Sequence, residues 1–96
     1  MSSVKTAIVD RILIVDDEPF NLEACKIALQ CAIPGVSLGD RIDTACNGFD
    51  AIDKVKRRYT KNQSYILILM DCNMPKLDGY QATIAIRKFI EIEGRP

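Results

Sequence analysis

The sequence of 96 residues contains no histidine and no tryptophan. Without histidine, the chain by itself cannot form a Ser-His-Asp triad, supply a histidine ligand to zinc or carry a phosphohistidine. It also lacks charge of one dominant sign, because 13 basic residues balance 13 acidic ones. A neutral chain has no overall field that attracts nucleic acid or anionic lipid. These absences exclude several enzyme classes and give no indication of nucleic-acid binding.

Long apolar runs and export signals are missing as well. The longest apolar run, at positions 65–70, is far shorter than the ~20 residues of a membrane-spanning helix. Near the N-terminus, Asp10 and Arg11 interrupt the apolar stretch, which is not the pattern of a signal peptide. We therefore expect a cytoplasmic location and no membrane segment in this chain.

The four cysteines form no Cys-x-x-Cys pair; they are Cys25, Cys31, Cys46 and Cys72. In a chain without an export signal we expect reduced thiols packed in or near a core, with disulfides as the alternative. Cys72 is interpreted as a small packing residue, and a redox role is its alternative.

Hydrophobic residues make up 48% of the chain, which is enough to form the core of a packed domain. A chain of 96 residues is too short for a second independent core. Continuous apolar runs alternate with stretches in which apolar residues recur every three or four positions, as in a helix. We predict strands at 11–15, 41–45 and 65–70, helices at 19–32, 48–59 and 80–93, and a loop at 36–40. This order predicts an α/β fold in which helices cover a parallel sheet.

Each predicted helix has one apolar face. The three faces comprise Leu22, Cys25, Leu29 and Ala32; Phe49, Ile52, Val55 and Tyr59; and Ala82, Ile86, Phe89 and Ile90. Basic residues crowd the end of the second helix, namely Lys54, Lys56, Arg57, Arg58 and Lys61. We interpret them as a solvated face that complements the helix dipole, with an anion or partner site as the alternative.

Acidic residues follow two of the predicted strands directly. Asp16 and Asp17 follow the first strand, and Asp71 follows the third. In a parallel sheet these strand ends would lie ~5 Å apart if the strands are neighbours, at the edge where α/β folds bind ligands. Such close carboxylates repel unless a cation such as Mg²⁺ neutralises them. The alternative is that Asp17 or Glu18 only caps the first helix.

Three stretches, ILIVDDEPFN (12–21), ACNGFDAI (45–52) and LILMDCNMPKLDGYQATIAIR (67–87), resemble the receiver domain of two-component response regulators. The resemblance implies a flavodoxin-like, doubly wound sheet and makes Asp71 the phosphoacceptor. It implies that Asp17 binds Mg²⁺ directly and Asp16 through water, while Asn73 offers its backbone carbonyl or, alternatively, only shapes a turn. The loop after Asp71 would be shaped by Met74-Pro75 and by Asp78-Gly79, and the latter pair is predicted to form a turn.

The family's domain has five βα units in strand order 2-1-3-4-5, and this chain supplies three, in order 2-1-3. We expect residues 1–10 to be a lead-in and 11–96 a partial receiver domain. The family's Ser or Thr of the fourth strand and Lys of the fifth have no counterpart. Thr83, Lys88 and Lys76 occupy other places and do not take these roles.

A three-unit sheet would leave the third strand at an edge, with Ile84 and Ile92 exposed on the following helix. An apolar edge favours pairing with another chain, so we expect a homodimer or a strand-completing partner. The long connection at 31–41 favours a receiver attached to a hybrid sensor histidine kinase over a minimal single-domain regulator.

The resemblance implies a non-enzymatic signalling module. It would accept a phosphoryl group onto Asp71, with Mg²⁺, from the phosphohistidine of a histidine kinase or histidine phosphotransfer protein. One alternative is a pseudo-receiver or fragment that acts only as an interaction module. Another is an aspartyl phosphatase, but that class presents Asp-x-Asp and here Asp16 and Asp17 are adjacent. The sequence contains no GxxxxGK motif, so it gives no support for nucleotide hydrolysis.

Overall fold

The computed structural model describes residues 11–35, 37–71 and 77–93. Strands and α-helices alternate along these residues, and a short 3-10 helix precedes the second strand. The elements are β1 (Arg11–Val15), α1 (Pro19–Ala32), the 3-10 helix (Gly39–Arg41), β2 (Ile42–Ala45), α2 (Gly48–Thr60), β3 (Tyr65–Met70) and α3 (Gly79–Glu93). The predicted alternation of strand and helix is confirmed.

The three strands form one parallel sheet in the order β2-β1-β3, as predicted. Residues 12–15 of the central strand β1 are buried, because neighbouring strands and helices cover both faces of an inner parallel strand. Val15 lies opposite Ala45 of β2 on one side and Met70 of β3 on the other. The three strands therefore end level with one another.

A β-bulge lies at the start of β3. Arg11 pairs with Tyr65 and Ile12 with Leu67, so Ile66 is an extra residue. Side chains alternate between the faces of a strand, and one extra residue shifts that alternation. The Tyr65 side chain therefore lies on the same face as those of Arg11 and Ile68, while Ile66 is 66% exposed.

The main core lies between the sheet and helices α2 and α3. Leu13 and Val15 of β1 pack with Ala51, Val55 and Ile86. At the far end of the two helices, the rings of Tyr59 and Phe89 meet edge to face, with centroids 5.2 Å apart. The predicted inner face of α3 is confirmed, and Ile84 and Ile92 are exposed as expected.

The predicted inner face of α2 is wrong at Phe49, which is 60% exposed, whereas Ala51 is fully buried. On a helix of 3.6 residues per turn, position 49 lies about 120° from Val55. The buried face is centred on Val55, and Ile52 is half-buried beside it. The interior therefore takes a small side chain at 51 and leaves the aromatic ring outside.

Helix α1 covers the opposite face of the sheet less completely, and no residue of α1 is buried. Leu22, Cys25 and Leu29 of the predicted stripe are half-buried, but Ala32, the last residue of the helix, is exposed. Outside the stripe, Phe20 and Ile27 are also exposed.

The connection from α1 to β2 differs from the predicted loop. The backbone N–H of Leu38 donates to Oε1 of Gln30 over 2.8 Å, and the Leu38 side chain is buried. Arg41 closes a 3-10 turn by donating its N–H to the Leu38 carbonyl over 2.8 Å. For that reason β2 begins at Ile42 and not at the predicted Arg41.

The described cysteines are free, as expected, but their predicted burial is largely wrong. Cys31 and Cys46 are exposed, and Cys25 is half-buried. Cys31 lies on the outer face of α1, and Cys46 follows the end of β2, beyond the core. Cys72 lies outside the described residues. Among the helices that the structure describes, none has the length and apolarity needed to cross a membrane.

Candidate functional site

The backbone ladder of the sheet continues beyond the strands into the acidic residues. The N–H of Asp16 donates to the Ala45 carbonyl over 3.1 Å, and the N–H of Asp71 donates to the Val15 carbonyl over 2.9 Å. Both residues are therefore held by sheet hydrogen bonds at the carboxyl edge. The predicted convergence of the two strand ends is present.

Three carboxylates meet at this edge. Asp16, Asp17 and Asp71 each have an oxygen atom within 4.8 Å of one from each of the other two. Asp16 and Asp71 are half-buried, and Asp17 is exposed. Oxygen ligands of one Mg²⁺ ion lie about 3–4 Å apart, which is close to this spacing. The donor set and its spacing fit a hard divalent cation.

Asp16 is positioned by the start of α1. Its Oδ1 accepts a hydrogen bond from the backbone N–H of Glu18 over 3.0 Å and lies 3.5 Å from Nδ2 of Asn21. Glu18 is the residue before the helix, but its side chain makes no capping hydrogen bond. The capping alternative is therefore wrong for Glu18.

Leu77 lies against the beginning of α2. A Cβ atom placed on the buried Gly48 would lie 2.5 Å from the Leu77 carbonyl oxygen. Asn47 caps α2, since its side-chain oxygen accepts from the N–H of Asp50 over 2.9 Å. The need for glycine at position 48 against Leu77 was not predicted from the sequence.

Asp78 and Gly79 do not form the predicted turn. Oδ1 of Asp78 accepts a hydrogen bond from the N–H of Gln81 over 2.9 Å, and α3 begins at Gly79. Asp78 therefore caps α3, which is a frequent role of aspartate before a helix.

A protein-family comparison identifies the chain. Residues 12–92 match the model of the response regulator receiver domain. This chain belongs to that family. The matched range includes all three clustered carboxylates.

Relatives and solved structures agree with the assignment of this receiver domain. It is 40% identical over 78 residues to the osmosensing histidine protein kinase SLN1 of Saccharomyces cerevisiae, covering 81% of this chain and 6% of that protein. It is 38% identical over 80 residues to hybrid signal transduction histidine kinase B of Dictyostelium discoideum, covering 83% of this chain and 4% of that protein.

Among solved structures, the receiver domain of the histidine kinase CKI1 from Arabidopsis thaliana, complexed with Mg²⁺, superposes with a TM-score of 0.77. The sequence identity is 29%, and the match covers 91% of this chain and 62% of that chain. The flavodoxin-like fold expected from the resemblance is therefore confirmed. This receiver chain spans less than two thirds of the length of each of these proteins.

The remaining site predictions for the receiver domain are not tested by this geometry. Asn73, Lys76 and Met74-Pro75 lie outside the described residues. Thr83 lines a groove between α3 and the edge strand β3, and Lys88 is exposed on α3.

At the opposite end of the sheet lies a polar network that sequence reasoning missed. Asp43 of β2 accepts hydrogen bonds from Nη2 of Arg11 over 2.7 Å and from the hydroxyl of Tyr65 over 2.6 Å. Burial opposes ionisation of Asp43, but these hydrogen bonds and the charges of Arg11 and Arg58 outweigh it and lower the pKa of Asp43. Burial and the Asp43 carboxylate raise the pKa of Tyr65. The network depends on the bulge at Ile66, which places Tyr65 on the face of the sheet that carries Asp43.

Proposed function

We propose that this chain accepts a phosphoryl group on Asp71 from a phosphohistidine of a partner protein, as a module of a phosphorelay. The observation that carries the proposal is the cluster of Asp16, Asp17 and Asp71 at the carboxyl edge of the sheet, in a chain of the receiver family. These 96 residues contain no histidine, so the phosphohistidine donor lies outside them.

Asp17 is proposed as a direct Mg²⁺ ligand, Asp16 as a ligand through water, and Asp71 as both ligand and nucleophile. The backbone carbonyl of Asn73 is proposed as a further ligand. All these donors are oxygens, the ligand type that Mg²⁺ prefers, and the related CKI1 receiver was solved with Mg²⁺. When bound, the ion supplies positive charge that offsets the charge of the phosphoryl oxygens.

In the proposed step, a carboxylate oxygen of Asp71 forms a bond to phosphorus while the bond from phosphorus to the donor's imidazole nitrogen breaks. The leaving imidazole then takes up a proton from solvent. The product is an acyl phosphate on Asp71, which water later hydrolyses to restore the carboxylate. The half-buried position of Asp71 and its backbone bond to Val15 support its role, because they hold the nucleophile in a set position.

We assign the chain to signalling and not to an enzyme with its own turnover of free substrates. Residues 11–96 are proposed as a partial receiver domain in a cytoplasmic setting, after a lead-in at 1–10. The match to a hybrid histidine kinase supports attachment to such a kinase. A histidine kinase or histidine phosphotransfer protein is the proposed partner.

The open edge of β3 is proposed to pair with a further strand, from a second copy or another chain. Among the described strands, β3 is paired on one side only. Ile66 and Leu67 are exposed along it, and an apolar edge with unpaired backbone groups favours strand addition. Sedimentation of the chain over a range of concentrations tests the homodimer directly.

The phosphoacceptor proposal is tested by intact mass after incubation with acetyl phosphate, with and without Mg²⁺. We expect a phosphoryl adduct that requires Mg²⁺ and is absent from Asp71→Asn. Asp53→Asn is the matched control, since Asp53 is an exposed aspartate on α2, and it should be labelled like the parent chain. An unlabelled parent chain would overturn the proposal and favour the pseudo-receiver, which binds its partner without phosphorylation.

A further inference from the structure

A cleft lies between β2 and the last turns of α2, near the end of the sheet opposite the three carboxylates. It has a volume of about 440 Å³ and is lined by residues 42–44, by Lys54, Arg57 and Arg58, and by Tyr65. That volume is within the range of roughly 300–1,000 Å³ typical of small-molecule sites. The proposed phosphorylation chemistry makes no use of this cleft.

Arg58 is the unusual residue in the cleft. Its guanidinium stacks over the ring of Tyr65, with 5.2 Å between its central carbon and the ring centroid. Its Nε and Nη2 atoms are buried, and neither has a hydrogen-bond acceptor within the described part of the chain. Burying charged donors without an acceptor is costly. A buried polar group without a partner calls for an explanation, such as an ordered water or an ion.

The Asp43 carboxylate, which lies near Arg58, already accepts hydrogen bonds from other residues. Oδ1 of Asp43 accepts from Arg11, and Oδ2 accepts from the Tyr65 hydroxyl, with Nε of Arg11 a further 3.3 Å away. Asp43 contributes negative charge near Arg58 but forms no hydrogen bond to it. The network therefore holds Tyr65 and Arg58 in place and leaves the donors of Arg58 for another acceptor.

The other two cations of the cleft are held only by pairs along their own helix. Nζ of Lys54 lies 3.7 Å from Asp50, and Nη2 of Arg57 lies 2.9 Å from Asp53. Such pairs between positions i and i+4 are weak. Both side chains can therefore turn toward an anion at little cost.

We propose that this cleft binds a small oxyanion of the phosphate or sulfate type, free or carried on a small molecule. Nε and Nη2 lie on one edge of the guanidinium and donate in parallel, which matches two oxygens of such an anion. Lys54 supplies the second positive charge. Since the two Arg58 nitrogens are covered, entry of the anion requires a side-chain movement.

The test is a titration of the ¹⁵N-labelled 96-residue chain with inorganic phosphate, followed by NMR at constant ionic strength without Mg²⁺. Chloride serves as the reference anion, and sulfate and glycerol phosphate form parallel arms. We expect saturable shifts of the Arg58 Nε–H and of the amides at 42–44. Arg58→Gln should weaken the apparent affinity about tenfold or more, because charge-assisted hydrogen bonds are lost.

Lys61→Gln is the matched control, because Lys61 is an exposed cation just beyond α2 that does not line the cleft. It should leave the affinity within about twofold of the parent value. If Arg58→Gln loses the dispersed spectrum of a folded chain, Lys54→Gln replaces it and should also weaken binding.

Tighter binding of glycerol phosphate than of inorganic phosphate would assign the cleft to phosphate esters, and the reverse order to the free anion. The proposal is overturned by linear, non-saturating shifts in the parent chain. Equal losses of affinity in Arg58→Gln and Lys61→Gln would also overturn it, because they would show that the anion responds only to the overall charge of the chain.

Discussion

The backbone N–H of Asp71 donates to the carbonyl oxygen of Val15 across 2.9 Å. This bond extends the pairing of β3 with β1 by one residue, so Asp71 belongs to the sheet and not to the loop that follows. Asp16 is held in the same way from β2. The distances among the carboxylates are therefore set largely by the backbone of a buried strand, which is the most rigid part of such a fold.

Asp71→Asn should stabilise the chain when Mg²⁺ is absent. The three carboxylates lie within 4.8 Å of one another, and removing one charge relieves repulsion worth roughly 0.5–1 kcal/mol in a partly hydrated site. The measurement is the free energy of urea unfolding in EDTA, with Glu91→Gln as a control for loss of an exposed acid. Added Mg²⁺ should raise the stability of the parent chain more than that of the variant. Equal responses to Mg²⁺ would contradict the assignment of Asp71 as a ligand.

Asp43→Asn should destabilise the chain by about 1–2 kcal/mol near neutral pH, a value discounted for the partial exposure of the ion pair with Arg11. The pKa of Asp43 is lowered from its ordinary value of 3.8. A lowered pKa in the folded state gives stability that is present above the ordinary value and lost as the pH falls below it. The difference in urea midpoint between parent and variant should therefore be constant from about pH 5 to 8 and shrink below about pH 4. A difference that grows in acid would contradict the prediction.

The position of the candidate site could be predicted from the sequence because a parallel sheet gathers the residues that follow its strands at one edge. Asp16, Asp17 and Asp71 follow apolar runs, and that pattern was sufficient. The strand order 2-1-3 came instead from the family resemblance.

Other features could not be predicted because they depend on contacts between elements. The run at 65–70 is apolar throughout and carries no alternation, so the bulge at Ile66 and the network of Tyr65 with Asp43 left no local signal. For α2, the helical period is compatible with more than one buried face, and the packing of the helix buries the face with Ala51 and leaves Phe49 exposed. The requirement for glycine at position 48 arises only when Leu77 arrives against it.

Gly48→Ala should destabilise the chain by about 1–2 kcal/mol and slow labelling of Asp71 by acetyl phosphate. The added Cβ would lie 2.5 Å from the carbonyl oxygen of Leu77 and 2.9 Å from its Cβ. Overpacking of this kind costs more than the helix propensity that alanine gains. Urea unfolding and the rate of adduct formation measure the two effects. Gly39→Ala is the control, because a Cβ there meets no atom within 4 Å, and it should change neither quantity appreciably.

Ile66→Lys should reduce self-association of the chain while changing the stability of the monomer by less than about 0.5 kcal/mol. Ile66 is the bulged residue of β3, the strand with an open edge, and 66% of its surface is exposed. A lysine at an edge strand opposes pairing with another strand, because its charge would have to be desolvated. Sedimentation velocity over a range of concentrations measures the effect. Ile92→Lys is the matched control, since Ile92 is an exposed isoleucine on α3, away from the edge. If both variants reduce association equally, the contact is a general apolar one and not strand pairing at β3.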